Sequence, residues 1–351
     1  MSSDFTAEVV GASGRMGTFW LDRHFFGVDK KAEDTDSDAT VGDASAIACP
    51  RGTIPGSQTP EGSPIYVATP SDSYLPIYES TPPSRYKDLV LVGNVGLPID
   101  DRFQECTILV PHFSVLYKNQ WKDDENNNSD AMKKEDPRTS NRPPPIQVNT
   151  DPLVSPPTYV YGKHATTVAN VLEANGIATK AVPSFSEIKA YSGRKLIWAS
   201  CFWLLCHNYD RDRDDESNAQ ADGSLLPPLT VGQVHEFRQN GLEKLVDEIL
   251  PSLRGWLLNN DNESQTKAET EIETEQALVR IIDRTVVLDY LQAYSESISH
   301  AVPSVDLAKR EFEDRNAVWL SSPSGKELEN QQPFHVELLR KQGLLIGAAP
   351  C

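Results

Sequence analysis

The sequence predicts an α/β N-terminal domain built on a mainly parallel sheet, followed by an all-α C-terminal domain. Short apolar, β-branched runs separated by turns or helical segments recur through the first half, which is typical of a parallel sheet. From Phe185 onward the apolar residues recur at a helical period. We therefore expect two domains, at residues 1–180 and 181–351.

The first predicted strand, residues 5–10, ends in a glycine-rich turn with the spacing G-x-x-G-x-x-G. Its glycines are Gly11, Gly14 and Gly17, and the apolar stretch 18–21 begins a helix. This spacing is a variant of the dinucleotide-binding fingerprint, in which the glycines make the turn, admit a pyrophosphate and pack the helix on its strand. We interpret the first domain as Rossmann-type, with a strand–helix turn that binds no ligand as the alternative.

The residues after three predicted strands form the expected cofactor site. Amide groups at a helix start carry partial positive charge, so the turn is expected to bind phosphate. Arg51, after the second strand, favours the 2′-phosphate of NADP over NAD, although it also fits an ordinary surface arginine. Thr69 and Pro70 follow the third strand, at the edge where open α/β sheets bind ligands. The expected binding residues are Gly11, Ala12, Ser13, Gly14, Arg15, Met16, Gly17, Arg51, Thr69 and Pro70.

Composition narrows the class of partner. The chain has 51 acidic and 33 basic residues, a formal charge of −18, which argues against nucleic acid or an anionic membrane surface. The longest apolar run, 196–206, is too short to span a membrane. Five cysteines without metal spacing, and no signal-peptide pattern, predict reduced thiols in a soluble intracellular protein, in the cytoplasm or in an organelle if a transit peptide is absent from the sequence. The seven histidines show no paired metal spacing, so we expect no metal.

Polar runs without periodicity interrupt both halves. We expect flexible insertions at 29–43, 118–157, 210–224 and 259–275. Between them, strands are predicted at 45–49, 64–69, 88–92 and 106–110, the last continuing to Tyr117. Helices are predicted at 74–79, 163–174 (with Gly176 as its C-terminal stop), 195–206, 230–251, 277–298 and 305–319.

The glycine motif, the β-rich first half and the helical second half together resemble the ketopantoate-reductase-like branch of the 6-phosphogluconate-dehydrogenase-type oxidoreductases. The Gly-Arg-Met-Gly form of the turn is also similar to prephenate dehydrogenase and dihydrodipicolinate reductase. The resemblance implies hydride transfer between a nicotinamide cofactor, NADP or NAD, and a small carbonyl or hydroxy substrate. It also implies a substrate cleft against the helical domain and a homodimer built through that domain.

The resemblance extends to three candidate catalytic residues. Asn94 looks like the asparagine that follows the fourth strand of the family near the nicotinamide, and would also contact the cofactor. Lys195 is similar to the general-acid lysine that opens a buried helix, where desolvation lowers the pKa of an ammonium group. Glu311, in a Glu-x-x-x-x-Asn pattern ending at Asn316, resembles the late acidic residue, with Ser304 as the nearby serine. Lys195 equally fits a lysine that extends to solvent, and Glu311 a solvated helix face.

One departure from the family pattern leaves a second function open. The family has an asparagine one turn after its lysine, and this chain has Ala199. The alternative is a non-catalytic NAD(P)-binding or protein-interaction module on the same fold. Lys163, His164 and His300 are further candidates for lining the cleft.

Overall fold

A computed structural model describes residues 5–26, 45–93, 100–117, 146–149, 155–207, 228–258, 269–320 and 329–345. By the clustering of contacts the chain forms two compact units. The first comprises the described residues up to Phe185 apart from Asp100, which clusters with the second, and the second otherwise begins at Ser186. This division reflects packing within the chain, and the domain boundary after residue 180 stays a prediction.

The first unit is built on a seven-stranded sheet with the strand order β2-β1-β3-β4-β5-β8-β9. All neighbouring strands are parallel except β5 and β8, so the predicted mainly parallel sheet is confirmed. The strands are β1 (Phe5–Val10), β2 (Ser45–Ala48), β3 (Ile65–Val67), β4 (Leu89–Val92), β5 (Thr107–Val110), β8 (Thr158–Tyr161) and β9 (Thr179–Ala181), while β6 (Ser114–Tyr117) and β7 (Ile146–Asn149) form a separate antiparallel pair.

The strand order reverses at β1. The chain runs from β1 to β2 on one side and then crosses to β3 on the other side, so β1 is hydrogen-bonded to both. In open α/β sheets such a reversal opens a crevice at the carboxyl ends of the strands, where ligands bind. The glycine turn follows β1 directly at this crevice.

The described residues of the first unit form three α-helices, which are α1 (Arg15–Phe26), α2 (Tyr74–Ser80) and α3 (Ala165–Ala174). Helices α1 and α3 share one apolar core with alternate residues of the central strands. Trp20 of α1 stacks on Tyr66 of β3 with ring centroids 4.2 Å apart, and the ring centroids of Phe19 and Phe113 are 5.5 Å apart. These aromatic contacts fix α1 on the sheet.

The crossover from β2 to β3, residues 49–64, covers β1 without forming a helix or a strand. Buried backbone groups need hydrogen-bond partners, and two buried charged side chains supply them here. The Glu8 carboxylate accepts from the amides of Gly56 (3.1 Å) and Gln58 (3.4 Å). The Arg85 guanidinium donates to the carbonyl of Gly56 (2.5 Å) and to that of Thr59 (2.8 Å). Charged groups thus replace a crossover helix on this face of the sheet.

A second buried carboxylate, Asp88, lies at the opposite, amino edge of the sheet, directly before β4. It accepts from Arg85 (2.7 Å), from the Gly62 amide (2.8 Å) and from Lys163 (2.7 Å), and His164 lies 3.4 Å away. Burial acts to raise the pKa of Asp88, but these bonds hold the pKa below its usual range. Lys163 and His164, candidates for a substrate cleft, therefore lie at the edge remote from the glycine turn.

Several predictions for the first half are corrected. The predicted strand continuing to Tyr117 is two strands, and its second part, β6, pairs with β7. Strand β7 lies inside the predicted flexible insertion 118–157, because Ile146 and Val148 alternate with polar residues as strand residues do. Strands β8 and β9 were not predicted. Insertion 29–43 lies outside the described residues.

The second unit is helical. It contains α4 (Phe185–His207), α5 (Val231–Phe237), α6 (Gln239–Leu258), α7 (Glu269–Ile281), α8 (Arg284–Ser297), α9 (Val305–Arg310), α10 (Phe312–Arg315) and α11 (Pro333–Lys341). Helix α4 is buried on every side from Ala190 to Cys206, apart from Trp198, so it forms the centre of this unit. The predicted all-α second half is confirmed. None of its described helices, nor those of the first unit, is long and apolar enough to cross a membrane.

The predicted long helices of the second half are broken in the structure. The helix predicted at 230–251 is two helices that meet at Arg238, and α6 continues past Pro251. Asp283 caps α8 by accepting from the Thr285 amide (2.9 Å), which divides the helix predicted at 277–298. Helix α7 begins inside the predicted insertion 259–275, and insertion 210–224 lies outside the described residues. The helix predicted at 305–319 is α9, α10 and a 3-10 turn, and α11 was not predicted.

A buried polar network joins α6, α11 and the 3-10 turn at residues 317–320. The His335 ring, fully buried, lies 2.9 Å from both the Gln332 and the Asn316 side-chain oxygens. Gln332 donates to Ser252 (2.9 Å) and to the Trp319 carbonyl (2.6 Å). Burial lowers the pKa of His335 to about 3, so the ring is neutral near pH 7.

Candidate functional site

The glycine turn is closely packed at two of its three glycines. Gly11 has φ 78°, a left-handed conformation that favours glycine, and a Cβ there would lie 2.7 Å from the Ala68 carbonyl oxygen. A Cβ on Gly17 would overlap the Gly11 carbonyl oxygen, whereas one on Gly14 would meet nothing closer than 3.5 Å. Gly11 and Gly17 thus bring β1, β3 and α1 together, whereas a Cβ on Gly14 would make only ordinary contacts.

The start of α1 contains backbone amide groups that donate to no backbone carbonyl of the described residues. The Gly14 amide donates to the Gly11 carbonyl (3.0 Å) and the Thr18 amide to the Gly14 carbonyl (2.8 Å). In the described part of the chain, the backbone amides of Ala12, Ser13 and residues 15–17 donate to no backbone carbonyl. Such amides at the first turn of a twelve-residue helix could hold an anion.

Thr69 and Pro70 lie beside the turn, at the carboxyl end of β3. A Cβ on Gly11 would lie 2.9 Å from the Thr69 Cγ2 atom, so the two segments are in contact. The Thr69 hydroxyl oxygen is buried and has no hydrogen-bond partner among the described residues. Because a buried hydroxyl rarely remains unpaired, this one is a candidate ligand for a bound molecule. Pro70 is exposed and precedes a short 3-10 helix, Ser71–Ser73.

Arg51 lies at the same carboxyl edge, beyond the end of β2. The Cys49 amide continues the β1–β2 pairing by donating to the Val9 carbonyl (2.8 Å), and the Thr53 amide then closes a turn on Pro50 (3.0 Å). Arg51 is exposed within that turn. The sheet therefore brings the glycine turn, Thr69, Pro70 and Arg51 to one edge. Asn94, the remaining predicted cofactor residue, lies outside the described residues.

Lys195 lies in the middle of α4, ten residues after the helix begins at Phe185. The expectation that it opens a buried helix is therefore wrong: the apolar run starts near Lys195, but the helix starts with the more polar residues before it. Its side chain is only 3% exposed, so a lysine that extends to solvent is also excluded. Burial, and secondarily the Arg315 guanidinium, lower the pKa of Lys195 to about 7. Ala199, at the position of the family asparagine, is buried.

Glu311 lies between α9 and α10 and is paired with Arg315. Two guanidinium nitrogens of Arg315 lie 2.6 Å and 2.5 Å from one carboxylate oxygen of Glu311, and the Glu311 side chain is 17% exposed. Arg315 therefore interacts with two predicted catalytic residues. It forms an ion pair with Glu311, and its charge lowers the pKa of Lys195. Asn316 is fully buried against His335, and Ser304 caps α9 by accepting from Leu307 (3.2 Å). His300 is exposed.

The sequence analysis did not identify two buried charged residues near the candidate site. Glu8 and Arg85 are buried charges that fix the crossover beside Arg51. A charged residue within an apolar strand, as at Glu8, was an available signal, because such a residue is buried only with partners. Arg85 gave no such signal, since it precedes its strand in a polar segment. Among the residues that the structure describes, no three His, Cys, Asp or Glu side chains group as a metal site would.

Comparison with known proteins finds similarity to solved structures. No protein-family model and no curated protein matches the sequence. Solved structures with a similar fold include a PanE/ApbA family ketopantoate reductase from Ralstonia eutropha JMP134, at 10% identity over 96% of this chain and 98% of that chain, with a TM-score of 0.47. A complex of octopine dehydrogenase with NADH and agmatine is similar at 10% identity over 96% of this chain and 89% of that chain, with a TM-score of 0.46.

A ternary structure of D-mandelate dehydrogenase with NADH and anilino(oxo)acetate is similar at 10% identity over 96% of this chain and 99% of that chain, with a TM-score of 0.45. At this identity the likenesses concern the fold alone.

Proposed function

We propose that this protein is an NADP-dependent oxidoreductase that transfers hydride between the nicotinamide and a small carbonyl or hydroxy substrate. The observation that carries the proposal is the start of α1, where backbone amides without carbonyl partners in the described chain lie at the reversal of strand order. Both their position in the sheet and their place at a helix start suit the diphosphate of a dinucleotide.

The residues at the crevice fit such a cofactor in three respects. Gly14 leaves room for close approach of a diphosphate, since a Cβ there would meet nothing nearer than 3.5 Å. The amides of Ala12, Ser13 and residues 15–17 would bind its oxygens. The buried Thr69 hydroxyl would gain a hydrogen-bond partner. Bound there, the cofactor would supply the hydride, which no side chain of the chain can supply.

Preference for NADP over NAD is supported by Arg51. No acidic residue occurs from Ser45 to Thr59, so the end of β2 and the following turn lack the carboxylate that accepts from a ribose 2′-hydroxyl. Arg51 is instead exposed at this position, and a guanidinium binds a phosphate through paired hydrogen bonds.

Lys195 is the proposed proton donor and acceptor for the substrate oxygen. A pKa of about 7 gives an amine that holds and releases a proton near neutral pH. Glu311 would act through its ion pair with Arg315, which lies in the electrostatic range of Lys195. Asn94 stays a predicted contact to nicotinamide or substrate.

Calorimetric titration with NADPH and with NADH tests the proposal. We expect NADPH to bind with micromolar affinity and NADH at least about tenfold more weakly, since a phosphate–arginine pair contributes on the order of 1.5–3 kcal/mol. Arg51→Met should remove this difference. Failure of both cofactors to bind at millimolar concentration would refute the proposed function.

A non-catalytic NAD(P)-binding module is the second candidate. It is favoured by the 3% exposure of Lys195 and by the buried Ala199 in place of the family asparagine. It predicts NADPH binding without turnover of any 2-oxo acid, aldehyde or ketone in a substrate panel. NADPH oxidation with one of them, abolished by Lys195→Met, would exclude it.

A homodimer through the helical unit also forms part of the proposal. Phe237 and Val302 are apolar side chains of this unit that are 59% and 44% exposed. Sedimentation equilibrium would show a mass of twice 38.9 kDa for a dimer. A monomer at micromolar concentration would contradict this part alone.

A further inference from the structure

The turn that carries Arg51 is held between two attachments to the same strand. On one side, the Cys49 amide donates to the Val9 carbonyl of β1 (2.8 Å). On the other side, the Gly56 amide donates to the carboxylate of Glu8, also in β1 (3.1 Å). Only six residues, 50–55, separate the two attachments, so together they restrict where Arg51 can lie.

Glu8 is a rigid attachment. It is fully buried in a strand that is hydrogen-bonded on both sides, so neither its backbone nor its side chain has room to move. The Gln58 amide donates to the same carboxylate oxygen (3.4 Å), and a second turn, closed by Ser57 on Ile54 (3.2 Å), lies directly beside it. The carboxylate therefore fixes the segment that immediately follows the Arg51 turn.

Arg85 fixes the same segment from its other side. Its guanidinium donates to the Gly56 carbonyl (2.5 Å). Gly56 is therefore bonded through its amide to the Glu8 carboxylate and through its carbonyl to the Arg85 guanidinium. Gly56 has φ 80°, and a Cβ there would lie 2.8 Å from the Ile65 Cδ1 atom and 3.1 Å from the Arg85 Cζ atom. Any displacement of Gly56 must therefore break contacts on two sides.

We propose that Glu8 is a positioning residue for cofactor preference, because it holds the Arg51 turn where the guanidinium meets the adenosine 2′-phosphate. This inference rests on the proposed function. A turn held before binding loses less conformational freedom when a ligand binds, so the attachment raises affinity for the form of the cofactor that carries the phosphate. Glu8 itself, covered by the crossover, would touch neither cofactor.

The direction in which NADPH affinity changes distinguishes a positioning role of Glu8 from an effect of its charge. The negative charge of Glu8 would by itself disfavour a nearby phosphate, so removing that charge alone would strengthen NADPH binding. Loss of the attachment would weaken it instead. NADH, which lacks the 2′-phosphate, should respond little to either change.

The experiment compares dissociation constants for NADPH and NADH in four forms of the full chain. Glu8→Gln removes the charge and weakens the attachment. Gly56→Ala displaces the attached segment and leaves the Glu8 charge in place. Glu248→Gln is the matched control, because Glu248 is a carboxylate that likewise accepts two backbone amides, those of Phe334 (3.1 Å) and His335 (2.8 Å), but in the second unit. Circular dichroism and melting temperature verify that each variant is folded.

We expect Glu8→Gln and Gly56→Ala each to raise the dissociation constant for NADPH about tenfold and that for NADH less than about twofold. Glu248→Gln should lower the melting temperature and leave the NADPH to NADH ratio unchanged. The inference is overturned if the ratio is unchanged in both test variants, if it shifts equally in Glu248→Gln, or if Glu8→Gln strengthens NADPH binding. Should one test variant fail to fold, the other still decides. Absence of binding of either cofactor to the unmodified protein would instead refute the proposed function.

Discussion

The three glycines of the first turn have separable physical tasks. Gly17 allows α1 to approach the Gly11 carbonyl, and Gly11 adopts a left-handed conformation against Ala68, so both serve the packing of the unliganded fold. Gly14 meets no such constraint, and its missing side chain instead leaves space where a ligand would lie. A sequence pattern that treats the glycines as equivalent hides this difference.

Two substitutions should therefore separate stability from binding. Gly17→Ala forces an overlap with backbone and should lower the free energy of unfolding by about 1–3 kcal/mol. Gly14→Ala should change it by less than about 1 kcal/mol, yet weaken NADPH binding at least about tenfold, because the methyl group occupies the approach to the diphosphate. Urea denaturation and calorimetric titration measure the two quantities. Tight NADPH binding by Gly14→Ala would contradict the proposed position of the diphosphate.

Lys195 is a buried base whose pKa falls from its ordinary value of 10.5 to about 7 in the folded chain. Between these two values the unfolded chain holds the proton and the folded chain does not. Stability therefore rises with pH over this interval, and below pH 7 the folded state carries the full cost of a buried charge.

Lys195→Met should remove that cost. We expect a higher free energy of unfolding at pH 7, on the order of 1.4 kcal/mol for each unit by which the pKa is lowered, and a loss of the rise in stability between pH 7 and pH 10. Lys309→Met, which replaces an exposed lysine on α9, serves as the control and should retain the rise. Chemical denaturation at several pH values measures both. A Lys195→Met variant with the pH dependence of the unmodified protein would show that the ammonium is not desolvated.

At the residue scale, local chemistry was predictable where it depends on neighbours in sequence. The glycine turn and its strand follow from spacing alone. The position of Lys195 within α4 did not, because the helix begins in polar residues whose burial depends on contacts with distant segments. Glu311 was also compatible with a solvated face, and only the tertiary structure gives it Arg315 as a partly buried partner.

Among the elements, the crossover from β2 to β3 depends most on single side chains. Arg85 donates to three backbone carbonyls, those of Gly56, Thr59 and Ser63, and also to the Asp88 carboxylate. Without the guanidinium, those buried acceptors and the carboxylate lose partners at once.

Arg85→Met should accordingly destabilise the protein by about 3–5 kcal/mol, the range for removal of one partner from a buried ion pair. Lys87→Met is the matched control on the same 3-10 helix, Pro83–Asp88, since the Lys87 and Glu61 side chains are 50% and 60% exposed and the Lys87 Nζ and Glu61 Oε1 atoms lie 3.6 Å apart. It should change stability by less than about 0.5 kcal/mol. Similar effects of the two substitutions would contradict the assigned role of Arg85.

Element boundaries were predictable only where a strong local signal exists. Gly176, with φ 76°, lies just after the end of α3, as expected for a C-terminal stop. Strand β4 coincides with an uninterrupted apolar run. The breaks at Arg238 and Asp283 were missed, since the apolar period continues across both. Strand β7 was missed because it is stable only when paired with β6, more than 25 residues earlier in the chain.

For the whole molecule, the α/β order of the first half and the helical period of the second half sufficed to predict the architecture. Composition could not show how the second half packs, because helices that are apolar on one face can pair in many ways. The antiparallel strand β8 was equally inaccessible, since its direction depends on the course of the chain between β5 and β8.

Cofactor binding should stabilise the two units unequally. At NADPH concentrations near 100 times the dissociation constant, binding stabilises the native state by about 2.7 kcal/mol. In hydrogen–deuterium exchange we expect the added protection at residues 11–20 and 65–73, and none in α11. Protection confined to the second unit would contradict a cofactor site at the glycine turn.

The bonds from Glu8 and Arg85 to the β2–β3 crossover affect the order in which the first unit folds. Glu8 and Arg85 belong to segments that are far apart in the sequence, and the loop between β2 and β3 gains its partners only when both segments are in place. The loop should therefore consolidate after the central strands associate, outside the folding nucleus. Substitutions within it would then accelerate unfolding far more than they slow refolding.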